Sequence, residues 1–469
     1  MDQKQQIEAY FDAHRAELIR DVSELIRVPS EKGDPKPGMP FGEFPAQALD
    51  AAEKIAKDMG FSVRGYDHYA LAVDLNDCPR QLDILAHLDV VPAGNGWSVT
   101  QPFEPLVKDG RLYGRGAADD KGPAVAALYA LKAVRDLGVP LRKNARLVLG
   151  SDEECGSADM KHYYETEREA PMTFSPDAEF PVINIEKGRY STWVRAAWAE
   201  DAALPRIRSV RGGVKSNVVP DTAEAVTEGL SAAQLAGYAQ AASARTGIRF
   251  AFREEAGGGT VVEAHGTCAH ASTPGEGNNA VTGLIDFLTG VPFADSEGFR
   301  SLCAVGKLFP HGDWKGTAAG VAMRDDSSGE LTMSLNLFAY GTDGLKGFFD
   351  GRVPVSATNR NLRDVFCARA RALELTPDAE DVSPAHHVPS DTPFVRTLLK
   401  CYEQYSGRKG ECLAIGGGTY AHRLKNGVAF GCSMPGTDNR MHAADEYAVI
   451  DELLLGAKIF TQAIIDLCS

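Results

Sequence analysis

Apolar residues recur every three or four positions at the start of the chain. Ile7, Tyr10, Phe11, Leu18, Val22, Leu25 and Ile26 fall on one stripe, which predicts an amphipathic helix over residues 3–27. Pro29 stops it. Ala48, Ala52, Ile55 and Met59 mark a second helix, ended by Gly60. Strands are predicted near 62–65, 70–75 and 82–86. Gly122-Pro123 then opens a helix to about Leu137, with Pro123 suited to a first turn. Leu147-Val-Leu149 reads as the next buried strand. Strands and helices in alternation predict an α/β fold built on an open sheet flanked by helices.

The texture changes after Lys187. Period-two alternation dominates Ser191–Ala197, Thr260–His265 and Leu331–Leu337, with helices near 279–289 and 360–372. Alternation implies sheets with one wet face, hence a separate α+β domain. The α/β texture returns near Val382. Thr392-Pro393 starts a helix through Tyr405, closed by Gly407, and Asp451 begins a last amphipathic helix. The expected organisation is a catalytic domain in two parts, 1–186 and 381–469, interrupted by an inserted lid over 187–380.

Composition narrows the class. A chain of 469 residues is too long for one ordinary core. A formal charge of -15 argues against nucleic acid as a partner. Nine scattered cysteines without a Cys-x-x-Cys pair fit reduced thiols rather than a disulfide framework. The polar N-terminus carries no signal segment, and no apolar run approaches the ~20 residues that span a bilayer. A cytoplasmic protein with no membrane partner is expected.

The candidate chemistry sits where apolar runs end. His87 and Asp89 close the run Leu82–Ala86, Asp119 precedes a helix, and Glu153 and Glu154 follow Leu147-Val-Leu149. Strand ends that turn from apolar to His, Asp and Glu are where an open α/β sheet builds its site. Imidazole with carboxylates is a ligand set for borderline and hard divalent ions. A lone histidine is more often a packed core residue; the neighbours of His87 reverse that expectation. As i and i+2 on a strand, His87 and Asp89 share a face, so Asp89 can accept from the other imidazole nitrogen. Glu153 and Glu154 would point apart in a strand, whereas a loop just past it can aim both at one site.

These strings, with Ser175-Pro-Asp-Ala-Glu-Phe-Pro181, Cys268-Ala-His-Ala-Ser-Thr-Pro274, Ile415-Gly-Gly-Gly-Thr-Tyr420 and Met441-His442, resemble the M20 metallopeptidases, and within them the PepV-type dipeptidases. The resemblance covers essentially the whole chain. It implies two divalent metal ions, zinc first with manganese or cobalt also suited. His87 and Asp177 would bind one, Glu154 and His442 the other, and Asp119 would bridge. A water between two dications ~3.5–4 Å apart is acidic enough to supply hydroxide near neutral pH. Glu153 resembles the general base and His270 the oxyanion-stabilising histidine. Asn217 resembles a substrate-holding asparagine. Gly417, Gly418 and Thr419 lie in what looks like a backbone N–H cradle, on the catalytic domain, for a free carboxylate. The family's Asp119–Asp120 peptide is cis. One departure stands out. Many relatives carry arginine in an Asn-x-Arg string where Ser334-Leu-Asn-Leu-Phe-Ala339 has Phe338, which cannot clamp a carboxylate; Arg324 or another basic group would have to substitute. The implied activity is hydrolysis of dipeptides with a free C-terminus by a monomer whose enlarged lid fills the place of a partner's. The alternatives are an N-acyl amino acid deacylase and a non-catalytic metal- or peptide-binding relative, against which Glu153 beside a full ligand set argues.

Overall fold

A computed structural model describes residues 1–255 and 258–469. Two compact units emerge. One comprises Met1–Ile185, His387–Leu413 and Gly418–Ser469; the other comprises Glu186–His386 and Ala414–Gly417. The interruption thus ends at His386 rather than at 380. Residues 414–417, which open the glycine string expected on the catalytic domain, cluster with the second unit instead.

The first unit is built on a mixed sheet with strand order Val63–Tyr66, Ala70–Asp74, Asn144–Gly150, Arg80–His87, Met172–Ser175, Gly427–Ala429, Val182–Glu186. Its central strands are parallel, and their register pairs His87 with Gly150 and Ile84 with Phe174. The carboxyl ends of three strands therefore emerge side by side, each followed by a polar segment. Helix Lys121–Asp136 packs against this sheet and is buried over nearly its whole length. Its alanines at 124, 126, 127, 130 and 133 let the first helix, Gln3–Ile26, and the last, Ile450–Cys468, approach closely. Asp2 and Gln5 form a reciprocal capping box on the first helix. At its far end the buried ammonium of Lys121 donates to the Leu25 and Val28 carbonyls (3.0 and 2.7 Å), satisfying orphan acceptors there. A Cβ on Gly122 would lie 2.1 Å from the Ala117 carbonyl oxygen, so only glycine lets the chain turn from the Asp119 loop into its helix.

The second unit carries an antiparallel sheet ordered Arg249–Glu255, Gly259–His265, Thr222–Glu228, Arg206–Gly212, Thr332–Tyr340, Gly344–Val353, Thr192–Ala197, Thr376–Pro377. Helices Ala232–Thr246, Ala280–Thr289 and Glu297–Leu308 share a core with it that includes Val210, Val262, Leu284, Leu302 and Phe349. Alternation along the strands produces this one-sided burial. Among the described residues, no helix is long and apolar enough to cross a membrane, and all nine cysteines are free.

Candidate active site

Five side chains from widely separated segments meet in the first unit. His87 is the last residue of its strand. Its Nε2 lies 3.0 Å from Asp119 Oδ1 and 3.6 Å from Asp177 Oδ2. His442 Nε2 lies 2.8 Å from Asp119 Oδ2 and 3.0 Å from Glu154 Oε1. The residues thus form two groups able to hold a metal ion, His87–Asp119–Asp177 and Asp119–Glu154–His442. Asp119 belongs to both and turns one oxygen to each imidazole. The Asp119–Asp120 peptide is cis.

The electrostatics of this cluster call for positive charge. Burial pushes the His87 imidazole down, but Asp119, Asp177 and Asp89 outweigh it and hold its pKa well above the usual value. Bonds to Asp119 and Glu154 raise His442 to about 11. Burial first, then the Asp119 charge, lifts Asp177 to about 7. Two imidazoles and three carboxylates at these spacings suit a pair of divalent cations.

The supporting contacts are local and specific. The Arg80–His87 strand stops before Asp89, so the same-face relation expected of His87 and Asp89 does not apply. His87 Nδ1 lies 3.0 Å from the Asp89 carbonyl oxygen and 3.4 Å from its carboxylate. The Asp89 carboxylate instead accepts the N–H groups of Glu153 and Glu154, both at 3.1 Å. These two residues start a single 3₁₀ turn, Glu153–Cys155, which breaks the strand alternation that would have parted them. Glu153 belongs to neither group, and burial, set against His87 and reinforced by Asp177, pushes its carboxyl well above the usual range. Behind the turn, Asp159 accepts from Ser151 N (2.6 Å), Asp152 N (2.9 Å) and the Tyr420 hydroxyl. Sequence reasoning assigns no role to Asp159 or to the Tyr420 hydroxyl, because a buried helix-start aspartate looks like any cap.

In the second unit, Val218 pairs with His270 across two short strands. Ala271 N–H donates to the Asn217 carbonyl at 2.9 Å, so a main-chain bond joins the His270 and Asn217 segments. Ser272 N–H lies 3.2 Å from His270 Nδ1, and the Ser272 hydroxyl lies 2.6 Å from the same nitrogen. Phe338 is buried in the core of this unit, and Arg324 lies on an exposed hairpin, 3.6 Å from Glu330. A basic group that sequence reasoning did not single out is Arg352. It is fully buried, pairs with Asp350 (2.6 Å), and donates to the Gly416 carbonyl. Asp350-Gly-Arg352 inside an apolar strand was the available signal, since i and i+2 share a face. A Cβ on Gly416 would lie 2.6 Å from Ser272 Cβ, so close approach demands glycine there. Thr419 caps the short turn Tyr420–Arg423 by accepting from Ala421 N–H at 3.1 Å.

The fold and the site together define a hydrolase of the metallopeptidase class. The chain belongs to peptidase family M20/M25/M40, whose model matches residues 84–466. It is 37% identical over 459 residues to a putative dipeptidase, YtjP, of Bacillus subtilis, covering 97% of each chain. It is 32% identical over 465 residues to the Beta-Ala-Xaa dipeptidase of Lactobacillus delbrueckii subsp. lactis, again covering 97% of each. Among solved structures it is similar to human carnosine dipeptidase 1 (TM-score 0.59, 15% identity, covering 100% of this chain and 99% of that one). It is also similar to the aminoacylhistidine dipeptidase of Vibrio alginolyticus (TM-score 0.59, 14% identity, 96% of each). At such identities these two show the fold alone. The family resemblance and the α/β fold class read from the sequence are borne out.

Proposed function

We propose that the chain hydrolyses dipeptides with a free C-terminus, with two divalent ions held by His87, Asp177, Asp119, Glu154 and His442. The observation that carries this is Asp119, whose two oxygens face different imidazoles at 3.0 and 2.8 Å. When bound, a pair of dications supplies Lewis acidity to the scissile carbonyl and acidifies the attacking water.

The remaining work falls to side chains. Glu153 takes the proton from the attacking water and returns it to the leaving amine. Asp89 keeps Glu153 and Glu154 in their turn through the two N–H bonds. An imidazole N–H of His270 stabilises the developing alkoxide, and Asn217 holds substrate beside it. Gly417, Gly418 and Thr419 receive the free carboxylate, with Arg352 fixing the neighbouring Gly416 carbonyl. The dipeptidase names of the two relatives, each matched over 97% of both chains, support this substrate class. Zinc is the expected ion, with manganese and cobalt also suited to the donors. We further infer a monomer acting in the cytoplasm; sedimentation and cell fractionation test these points.

The activity test is a panel of dipeptides, their C-terminal amides, tripeptides and N-acyl amino acids, each with Zn²⁺, Mn²⁺ and Co²⁺. Free dipeptides should be cleaved best. Amidation should lower kcat/KM by one to a few orders of magnitude, at ~1.4 kcal/mol per decade. Preference for N-acyl amino acids would assign a deacylase instead. Equal cleavage of free, amidated and acylated substrates would overturn the dipeptide reading.

A further inference from the structure

The segment that carries His442 is closed at its neck. Tyr447 N–H donates to the Asn439 carbonyl (3.1 Å), and Asn439 Nδ2 donates to the Tyr447 carbonyl (2.9 Å). Glu446 stands at the exit of this loop and is fully buried. Its Oε1 accepts the N–H groups of Gly116 (3.0 Å), Ala118 (3.1 Å) and Asp119 (3.3 Å). Its Oε2 pairs with Nη1 of Arg115, itself fully buried. Its carbonyl accepts from Gly114 N–H at 3.0 Å. Arg115 Nη2 reaches the Pro92 and Ala93 carbonyls (3.5 and 3.4 Å), in the segment that follows His87 and Asp89. Next to Glu446, Asp445 accepts from Ser98 N (2.8 Å), Ser98 Oγ (2.6 Å) and Val99 N (2.9 Å).

We propose that Glu446, paired with Arg115, is a positioning residue that fixes the Asp119 carboxylate against His442. The inference rests on the two-ion reading above. One buried carboxylate collects main-chain donors from the Asp119 loop while being covalently tied to His442 four positions earlier. A charged acceptor strengthens each of those bonds. Moving it would shift the shared ligand and one imidazole relative to each other, so the group that contains both, Asp119–Glu154–His442, should lose more than the group of His87 and Asp177, which has only Asp119 in common with it. Such outer contacts are typically worth about 10–100-fold in metal affinity.

Cobalt(II) titration of the metal-stripped full chain, followed by visible absorption, tests this. Two variants serve. Glu446→Asp keeps the charge facing Arg115 but withdraws the acceptor by one methylene. The double variant Arg115→Met/Glu446→Leu removes the buried pair without leaving an unpaired charge, and keeps the test alive if the first does not fold. Wild type should bind two cobalt ions. Each folded variant should bind the weaker-held cobalt about 10–100-fold more weakly than wild type does, change the tighter one less, and show an altered visible spectrum. At saturating cobalt, kcat should fall more than KM rises. A variant that melts lower yet titrates with two wild-type affinities and an unchanged spectrum would overturn the proposal and make the pair merely structural. A wild type that never exceeds one cobalt would overturn the two-ion reading, and this inference with it.

Discussion

The two units hold their functional groups in place by different means. In the first, buried carboxylates gather main-chain donors from distant segments: Asp89 from Glu153 and Glu154, Asp159 from Ser151 and Asp152, Glu446 from Gly116, Ala118 and Asp119. In the second, His270 and Asn217 are held by strand pairing and a main-chain bond. A site held by side chains is rigid but fragile, because removing one acceptor orphans several donors. A site held by main chain tolerates loss of the side chain, which then subtracts only its chemistry. Removing one of the gathering acceptors in the first unit should therefore disturb several site residues at once, whereas removing the His270 side chain in the second should subtract only its own chemistry.

The sharpest test is Asp119→Ala. Both groups share this residue, so metal content should fall from two ions per chain to none, and activity should vanish; elemental analysis of metal-reconstituted protein checks it. Retention of one tight ion would break the comparison at its strongest point. Glu153→Ala comes next. It should keep both ions and lose about 10²–10⁴ in kcat, separating chemistry from binding within the first unit. His270→Ala should leave metal content and melting temperature unchanged and lower kcat by about 10²–10³. A fall in metal content there would show that the second unit does more than the comparison allows.

The smallest expected effect concerns stability. Asp83 is fully buried on the Arg80–His87 strand, and neither of its oxygens has a hydrogen-bond partner among the described residues. Burial raises its pKa from 3.8 to about 7, against the opposing pull of Arg80 and Arg146. The folded state therefore holds this proton more tightly than the unfolded chain. Stability should fall as pH rises from about 4 to about 7. Asp83→Asn should remove that slope and melt higher than wild type above neutral pH, with little difference near pH 4; parallel slopes would show that Asp83 does not carry the effect.

Much of this was legible in the chain. Runs such as Leu82–Ala86 announce a buried strand by composition, and parallel pairing then fixes where its last residue, His87, must emerge. Thr392, Pro393 and Gly407 bound their helix because cap chemistry is local. The helices Ala232–Thr246 and Glu297–Leu308 are harder to read, the first because its alanine-rich stripe offers little apolar contrast. The contact of Asp89 departs from expectation for a geometric reason: the strand ends two residues before it, so period-two logic has expired. Arg352 is only half legible: its pairing with Asp350 follows from strand spacing, but the Gly416 carbonyl it also reaches lies 64 positions away. Glu446 gives no sign at all. Its partners Arg115 and Gly116 lie 331 and 330 positions earlier, and no local pattern encodes such a distance.

The two histidines differ in one more respect. The His87 side chain is 1% exposed, whereas that of His442 is 53% exposed. On the two-ion reading, the cation beside His442 would trade with the medium while its neighbour stayed locked away. A purified sample would then carry a record of two different moments: the composition of its last buffer in one position, and the ions available in the cell while it folded in the other. Mixed-metal protein should be the ordinary outcome of preparing it, with the more mobile position setting how activity responds to added salts or chelators.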